Sequence, residues 1–275
     1  MKLSNSFFYT LREDQKEEDS RSGNLLVKAG FIKKSSSGIY MLMPLGHKVY
    51  KNIEKIIREE MNKTSANELS MPSLIPEDVY IKSGRRDNFG SDMFSLKDRM
   101  NRNYVLGPTH EELFVNAASM KIKSYKDMPF NIYQFGTKFR DEPRPRYGLI
   151  RVREFVMKDA YSFDTSKEGL SKSYDKMYKA YKNIFDRVGL NYKIVRADTG
   201  VMGGLLSEEF QAVTDIGEDV LVLCSNCDFA SNIEVCECNT GIMSCDEEEL
   251  SKELIATPGV GTIEDLVNQG FNISK

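Results

Sequence analysis

The sequence predicts an α+β fold, an antiparallel sheet flanked by helices. Three stretches carry that expectation. Residues 131–163 alternate like a long antiparallel hairpin. Tyr133, Phe135, Thr137 and Phe139 share one face of its first strand, and Gln134, Lys138, Arg140 and Glu142 share the other. His47 to Lys63 reads as an amphipathic helix, with Val49, Ile53, Ile56, Ile57 and Met61 in a stripe and charges opposite. Lys167 to Val188 reads as a second, with Leu170, Tyr174, Met177, Tyr178, Tyr181, Ile184, Phe185 and Val188 on its apolar side.

In chain order, residues 1–22 are polar and predict an extended arm. Asn24 to Phe31 predicts a short helix ended near Gly30. Lys33 to Gly38 reads as a flexible loop, and Ile39 to Met43 as a short apolar strand. After the first long helix, Asn67–Met71 reads as a strand stopped by Pro72. Met93–Leu96 and Asn103–Leu106 read as two strands joined by a polar turn. Gly107 to Glu112 opens a helix, where Thr109 and Glu112 have capping-box spacing. His110 between them reads as incidental.

The hairpin loop is assigned to Pro143–Leu149, since two prolines and a glycine stop helix formation. Its second strand is assigned to Ile150–Tyr161, with Arg151 and Phe155 on one face. Thr165 with Glu168 starts the second long helix, and Gly189 stops it. Tyr192–Ala197 is a strand. Gly203 to Gln211 leads into another, which pairs with Val220–Leu223 across the turn Gly217–Asp219. Glu209 and Gln211 share a parity. They suit a substrate floor or a solvated face.

The totals exclude some classes. The chain has 275 residues, 29% charged and 40% hydrophobic, an ordinary soluble composition. A net charge of −3 argues against a globally basic nucleic-acid coat, so any RNA contact must use local patches. No apolar run is long enough to span a membrane, and Met1 to Tyr9 lacks the extended apolar segment of a signal peptide. The cytoplasm is therefore the expected location. All five cysteines follow residue 223, an odd number that does not suggest a disulfide framework. Cys224, Cys227, Cys236 and Cys238 offer a C-x-x-C and a C-x-C, enough thiolates for zinc, but the second spacing is tighter than structural sites use. Reduced thiols without metal are expected.

Arg140, Arg144, Arg146, Arg151 and Arg153 fall within fourteen positions. Arginine suits bidentate recognition of phosphate or carboxylate. Phe155 offers a ring on which a base can stack, and Glu142 offers an acceptor for an exocyclic amine. An exposed ribbon with a solvated basic rim reads equally well from composition.

Phe139-Arg-Asp-Glu142, a loop, then Arg151-Val-Arg-Glu-Phe155 resembles motif 2 of class II aminoacyl-tRNA synthetases. Arg140 to Gly148, followed by Arg153 to Phe163, resembles the bacterial-type prolyl members. The helix, strand and proline of His47–Pro72 resemble motif 1, the family's homodimer surface. The resemblance implies ATP with Mg2+, proline and tRNA(Pro) as partners, and two steps: prolyl-adenylate formation, then transfer to the tRNA's terminal ribose. It implies Arg140 as the catalytic residue bridging the proline carboxylate and the α-phosphate. Thr109, Glu111, Glu209 and Gln211 would surround proline, with Glu111 on the imino nitrogen. Glu142 would read the adenine edge, Phe155 would stack on the base, and Arg151 would hold the γ-phosphate. Arg144 and Arg146 would meet the tRNA acceptor end.

The chain also departs from the family pattern. Gly203, Gly204, Ser207, Glu209 and Phe210 match a family motif, but Leu205 and Glu208 stand where Ser and His are common. No motif 3 Gly-x-Gly-x-x-Arg is found, nor an anticodon-binding domain. The expected organisation is residues 1–223 as the part of the catalytic domain holding motifs 1 and 2, and 224–275 as a cysteine-containing connection into a truncated editing insertion. The expected function is a proline–tRNA ligase as the N-terminal portion of a larger whole, not competent alone, with the C-terminal half as a possible separate chain. A non-catalytic paralogue that binds tRNA or a partner is the alternative.

Overall fold

A computed structural model of the chain describes residues 2–16, 18, 20–200, 204, 206–214, 217–237, 257 and 262–268. The readings at Gly203, Leu205, Cys238, Cys245 and residues 258–261 lie outside them. The chain forms two compact units, Met1–Val235 and Cys236–Lys275.

The first unit begins with helix α1, Arg21–Lys28, whose N-cap Ser20 accepts a hydrogen bond from the Gly23 amide at 3.0 Å. The stretch expected as a flexible loop is instead strand β1, Ile32–Ser36, paired antiparallel with β2, Ile39–Leu42. Its polarity misled because a two-stranded ribbon leaves Lys33, Ser35 and Ser36 exposed while Ile32 is buried. Helix α2 spans Pro44–Lys63, starting three residues before His47 because Pro44 suits the first helical turn. Its apolar stripe divides. Ile57 and Met61 reach a core with Ala66 and Tyr133, while Val49 and Ile53 are exposed.

Strand β3, Asn67–Glu68, runs parallel to β7. Then β4 (Leu74–Pro76), α3 (Asp78–Lys82), α4 (Arg86–Phe89), β5 (Ser95–Lys97) and β6 (Asn103–Leu106) build a small subdomain with strand order β4-β6-β5. Its core is Ile75, Tyr80, Met93 and Val105. Helix α5 covers Glu111–Lys121.

Strands β7 (Phe130–Phe139) and β8 (Glu154–Phe163) pair along their whole length, from Phe130↔Phe163 to Phe139↔Glu154. The second strand thus starts four residues after Ile150, and the loop is longer than Pro143–Leu149. The Arg153 amide donates to the Gly38 carbonyl at 2.8 Å, so the chain turns from the ladder onto the β1–β2 turn. Arg146 and Arg151 form a separate bridge inside the loop. Gly148 has φ +62°, and a Cβ there would lie 2.9 Å from the Gly23 Cα. That close approach seats the loop on α1 and requires glycine.

The order β3-β7-β8 leaves β8 at the edge of its sheet among the described residues. Helix α6, Lys167–Val188, is capped by Ser166, not Thr165, and ends at Gly189 with φ +79°. It packs on α2, where Arg187 pairs with Glu59 and Glu60 at 2.5 and 2.6 Å. Four strands follow: β9 (Tyr192–Arg196), β10 (Glu208–Ala212), β11 (Leu221–Leu223) and β12 (Ala230–Asn232), in the order β10-β9-β12-β11. The expected β10–β11 hairpin does not form. β10 pairs with β9, and Phe210 stacks on Phe185 of α6 with ring centroids 5.3 Å apart. The pull of that aromatic cluster outweighs the local turn signal. In the second unit, α7 covers Ile263–Asn268. No described helix is long and apolar enough to cross a membrane.

Candidate substrate site

Directly opposed residues of an antiparallel pair put their side chains on one face. Register therefore places Gln134 with Asp159 and Lys138 with Phe155. This is the polar face expected from alternation, but its centre is not solvated. Lys138 is fully buried. Its ammonium lies 2.9 Å from Asp159 Oδ1 and 2.6 Å from His110 Nδ1. Asp159 Oδ2 accepts from Gln134 Nε2 at 3.1 Å and from the Tyr161 hydroxyl at 2.9 Å.

His110 Nε2 lies 3.1 Å from the Pro72 carbonyl. A carbonyl only accepts, so Nε2 carries the proton and the Nδ1 lone pair accepts from Lys138. His110 is thus a neutral link between the hairpin and the Pro72 segment, not an incidental residue. Burial and the adjacent Lys138 charge hold its pKa below the ordinary histidine value. Burial also pushes the Lys138 pKa down, opposed by Asp159.

The sign of the pH effect follows. Unfolded, His110 takes up a proton at its ordinary pKa, but the folded site resists it. Its contribution to stability is present above the ordinary histidine range and is lost as pH falls through it. Only one other histidine exists, the exposed His47. In an NMR titration His110 is expected to keep its Nε2–H form to lower pH than an ordinary histidine does. An ordinary titration of the His110 ring would refute this tautomer.

The same network supports a turn at the start of α5. Thr109 Oγ1 donates to Glu111 Oε2 at 2.5 Å, and Arg85 Nη1 donates to that oxygen at 3.1 Å. Tyr80 fixes the turn by donating to the Thr109 carbonyl at 2.6 Å. The expected capping box is not made: His110 is the N-cap and gives no side-chain cap. Glu112 instead accepts from Ser83 Oγ at 2.9 Å and Arg85 Nη1 at 3.1 Å. The helix starts one residue later than that box requires, and the Thr109 hydroxyl is spent on Glu111. Tyr161 packs on Phe114 with centroids 4.2 Å apart. Burial, then the charges of Glu111 and Asp159, raise its pKa, so it stays a phenol. The corner therefore presents a hydroxyl and a carboxylate, a pair suited to a small cationic amine.

The loop beyond β7 gathers the arginines. The exposed Arg140 guanidinium lies 5.3 Å from the Phe155 ring centroid. Glu142 Oε1 accepts from the Arg144 amide at 2.9 Å, and Oε2 pairs with Arg151 Nε at 2.9 Å. These two partners hold Glu142 below the usual carboxylate range. Arg151 Nη1 also reaches Glu218 at 3.3 Å, and Arg146 Nε reaches Glu218 at 2.7 Å. Arg153 Nε donates to the Glu142 carbonyl at 2.9 Å. Arg140 and Arg144 make no ion pair among the described residues, and these two are the cations best placed for an external anion.

Glu209 and Gln211 lie elsewhere, on β10. Gln211 Nε2 donates to Glu209 Oε2 at 2.6 Å and to Asp219 Oδ2 at 3.1 Å. Both line a cavity of about 600 Å3 between α6, the edge of β8 and β10, which Tyr161 also lines. Tyr161 thus touches both regions. Sequence reading missed Arg85, Lys138, Asp159 and Tyr161. Only the polar parity of Lys138 and Asp159 hinted at them.

A family model, the tRNA synthetase class II core domain (G, H, P, S and T), matches residues 94–242, more than half of the chain. The chain belongs to this class II synthetase core family. The matched span holds the turn of Thr109–Glu111, the whole hairpin and β10. Among curated relatives, the proline–tRNA ligase of Thermoanaerobacter sp. (strain X514) is 50% identical over 270 residues, covering 98% of this chain and 47% of the relative. That of Caldicellulosiruptor bescii is 48% identical over 268 residues, with the same coverages. The chain spans about half the length of these relatives. The synthetase fold is also shared with solved structures. Giardia lamblia prolyl-tRNA synthetase in complex with prolyl-adenylate aligns with TM-score 0.58 at 24% identity, over 62% of this chain and 36% of that one. Cryptosporidium parvum prolyl-tRNA synthetase complexed with halofuginone and AMPPNP aligns with TM-score 0.61 at 17% identity, over 68% of this chain and 40% of that one.

Proposed function

We propose that this chain supplies the proline and ATP sites of a proline–tRNA ligase, and that the longer protein joins proline to tRNA(Pro). The observation that carries this reading is the Thr109–Glu111 corner beside Tyr161, on the same hairpin as the Arg140–Phe155 pair. The names of relatives about half identical to the chain support it.

Glu111 would pair with proline's secondary ammonium while Thr109 orients the carboxylate. Arg140 would lie between the proline carboxylate and the α-phosphate, where charge builds as the two oxygens approach. Phe155 would stack on adenine once Arg140 swings from its ring to the phosphate. Glu142 would accept from the adenine amine, and Arg151 would exchange Glu142 and Glu218 for the γ-phosphate. Arg144 and Arg146 would face the tRNA acceptor end. Glu209 and Gln211, across the cavity, would bound the proline side. Among the described residues no three His, Cys, Asp or Glu side chains converge as a metal site. Magnesium would come with ATP.

The test is amino-acid-dependent exchange of pyrophosphate into ATP by the longer protein carrying this sequence. Proline should drive exchange and the other amino acids should not. Tight tRNA binding without any exchange would favour the non-catalytic reading.

The homodimer through His47–Pro72 is part of the same proposal, as are a cytoplasmic location and the other half of the enzyme on the same or a separate chain. Val49 and Ile53 are exposed on a helix whose lower half is core, which suits a partner's apolar surface. Val49→Glu with Ile53→Glu should shift sedimentation from dimer to monomer. An unchanged dimer would place the interface elsewhere.

A further inference from the structure

The turn between β11 and β12 has a chemistry the synthetase reading does not use. Leu223 pairs with Ala230 at the end of the ladder, and the Cys224 amide donates to the Phe229 carbonyl at 3.0 Å. Residues 224–229 are thereby closed into a tight turn. Cys224 and Cys227 are both free thiols in it, and both are exposed. The Asn226 amide donates to Cys224 Sγ at 3.4 Å, a contact that favours sulfur as an anion. That amide, then the thiol and amide of Cys227, lower the Cys224 pKa. Two thiols three residues apart can make a metal half-site or a disulfide. Among the described residues no third His, Cys, Asp or Glu joins them as a metal site.

We propose that Cys224 and Cys227 form a dithiol modification site, oxidised to an intramolecular disulfide by small-molecule disulfides. The Cys224 thiolate attacks one sulfur of the small disulfide RSSR, whose S–S bond breaks. One RS− leaves, takes up a proton and becomes RSH. The Cys227 thiol then loses its proton and attacks Cys224 Sγ in the mixed disulfide. The Cys224–Cys227 bond forms and the second RSH departs. Two protein thiols are oxidised and one disulfide is reduced to two thiols, so electrons and protons balance. Cys224 is the attacking sulfur because its thiolate is the better stabilised.

The 275-residue chain is reduced, desalted, and equilibrated in glutathione buffers of increasing oxidised fraction. It is then quenched in acid and alkylated. No Lys or Arg lies between Arg196 and Lys252, so trypsin leaves all five cysteines on one peptide. Cleavage after glutamate instead releases residues 219–234, which contain only Cys224 and Cys227. The expected product is that peptide with no alkyl groups and two hydrogens fewer, while Cys236, Cys238 and Cys245 remain alkylated. Cys227→Ser should accumulate the mixed disulfide with glutathione at Cys224. Cys224→Ser should slow glutathione capture by about tenfold.

The proposal is overturned if both cysteines stay alkylated at every oxidised fraction, or if they pair at random with the later three. It is also overturned if the chain as purified holds one zinc per molecule that shields this pair from alkylation. Each arm is read on the chain itself, independently of synthetase activity.

Discussion

Glu111→Ala, introduced into the longer protein that carries this sequence, is expected to cut proline-dependent pyrophosphate exchange by about thirty-fold to several thousand-fold. That range converts the roughly 2–5 kcal/mol typically lost when one partner of a closed charge pair is removed. The Glu111 carboxylate is already held by its neighbours. Thr109 and Arg85 both donate to Oε2, which fixes the carboxylate plane. Tyr80 holds the turn beneath it. The loss should fall on proline: its KM should rise or kcat should drop, with the KM for ATP nearly unchanged. Arg85 also bonds Glu112, so the guanidinium keeps a partner in the variant and the fold should persist. Exchange at the wild-type rate would remove Glu111 from the proline site. An equal loss for proline and ATP would show that the turn had merely collapsed.

How much of this was legible depends on the range of each interaction. The hairpin and α6 were readable because their signals are local: strict alternation from Tyr133 to Phe139, an apolar stripe, and Gly189 where a left-handed residue is needed. The two faces of β7 were assigned correctly as far as Phe139, but Arg140 and Glu142, placed on the polar face, lie beyond the strand's end. The meaning of the polar face was not, because nothing near Lys138 in sequence says that it is buried. His110 and Asp159, its partners, are 28 and 21 positions away, and a lysine on a polar parity ordinarily reads as solvated. Arg85 was hidden for the same reason. Its link to Glu111 depends on how α3, α4 and α5 pack, and no pattern in the sequence reports that. β1 was missed because its lysines and serines carry no apolar alternation; the ladder with β2 holds it through backbone bonds. The expected β10–β11 hairpin had a sound turn, but Phe210 is drawn to Phe185 and Tyr192. The resemblance of motifs therefore proposed the candidate site, and non-local pairing decides which groups surround it.

The second large effect is expected at the floor of that site. Removing one member of a buried, hydrogen-bonded ion pair usually costs about 3–5 kcal/mol, since the other is left charged without a counterion. Asp159→Ala would leave the fully buried Lys138 ammonium with only the His110 lone pair as an acceptor. It would also strip a partner from Gln134 and from Tyr161. The urea midpoint of the chain should fall sharply with an unchanged m-value, if unfolding stays two-state. Lys138→Met alone should cost less, because Asp159 keeps two neutral donors. The double variant Asp159→Ala/Lys138→Met should be more stable than Asp159→Ala alone, because the stranded ammonium is gone. Restored stability in the double variant distinguishes a charge pair from ordinary packing, for which the two losses would add. Additive losses would mean that Lys138 and Asp159 are not coupled.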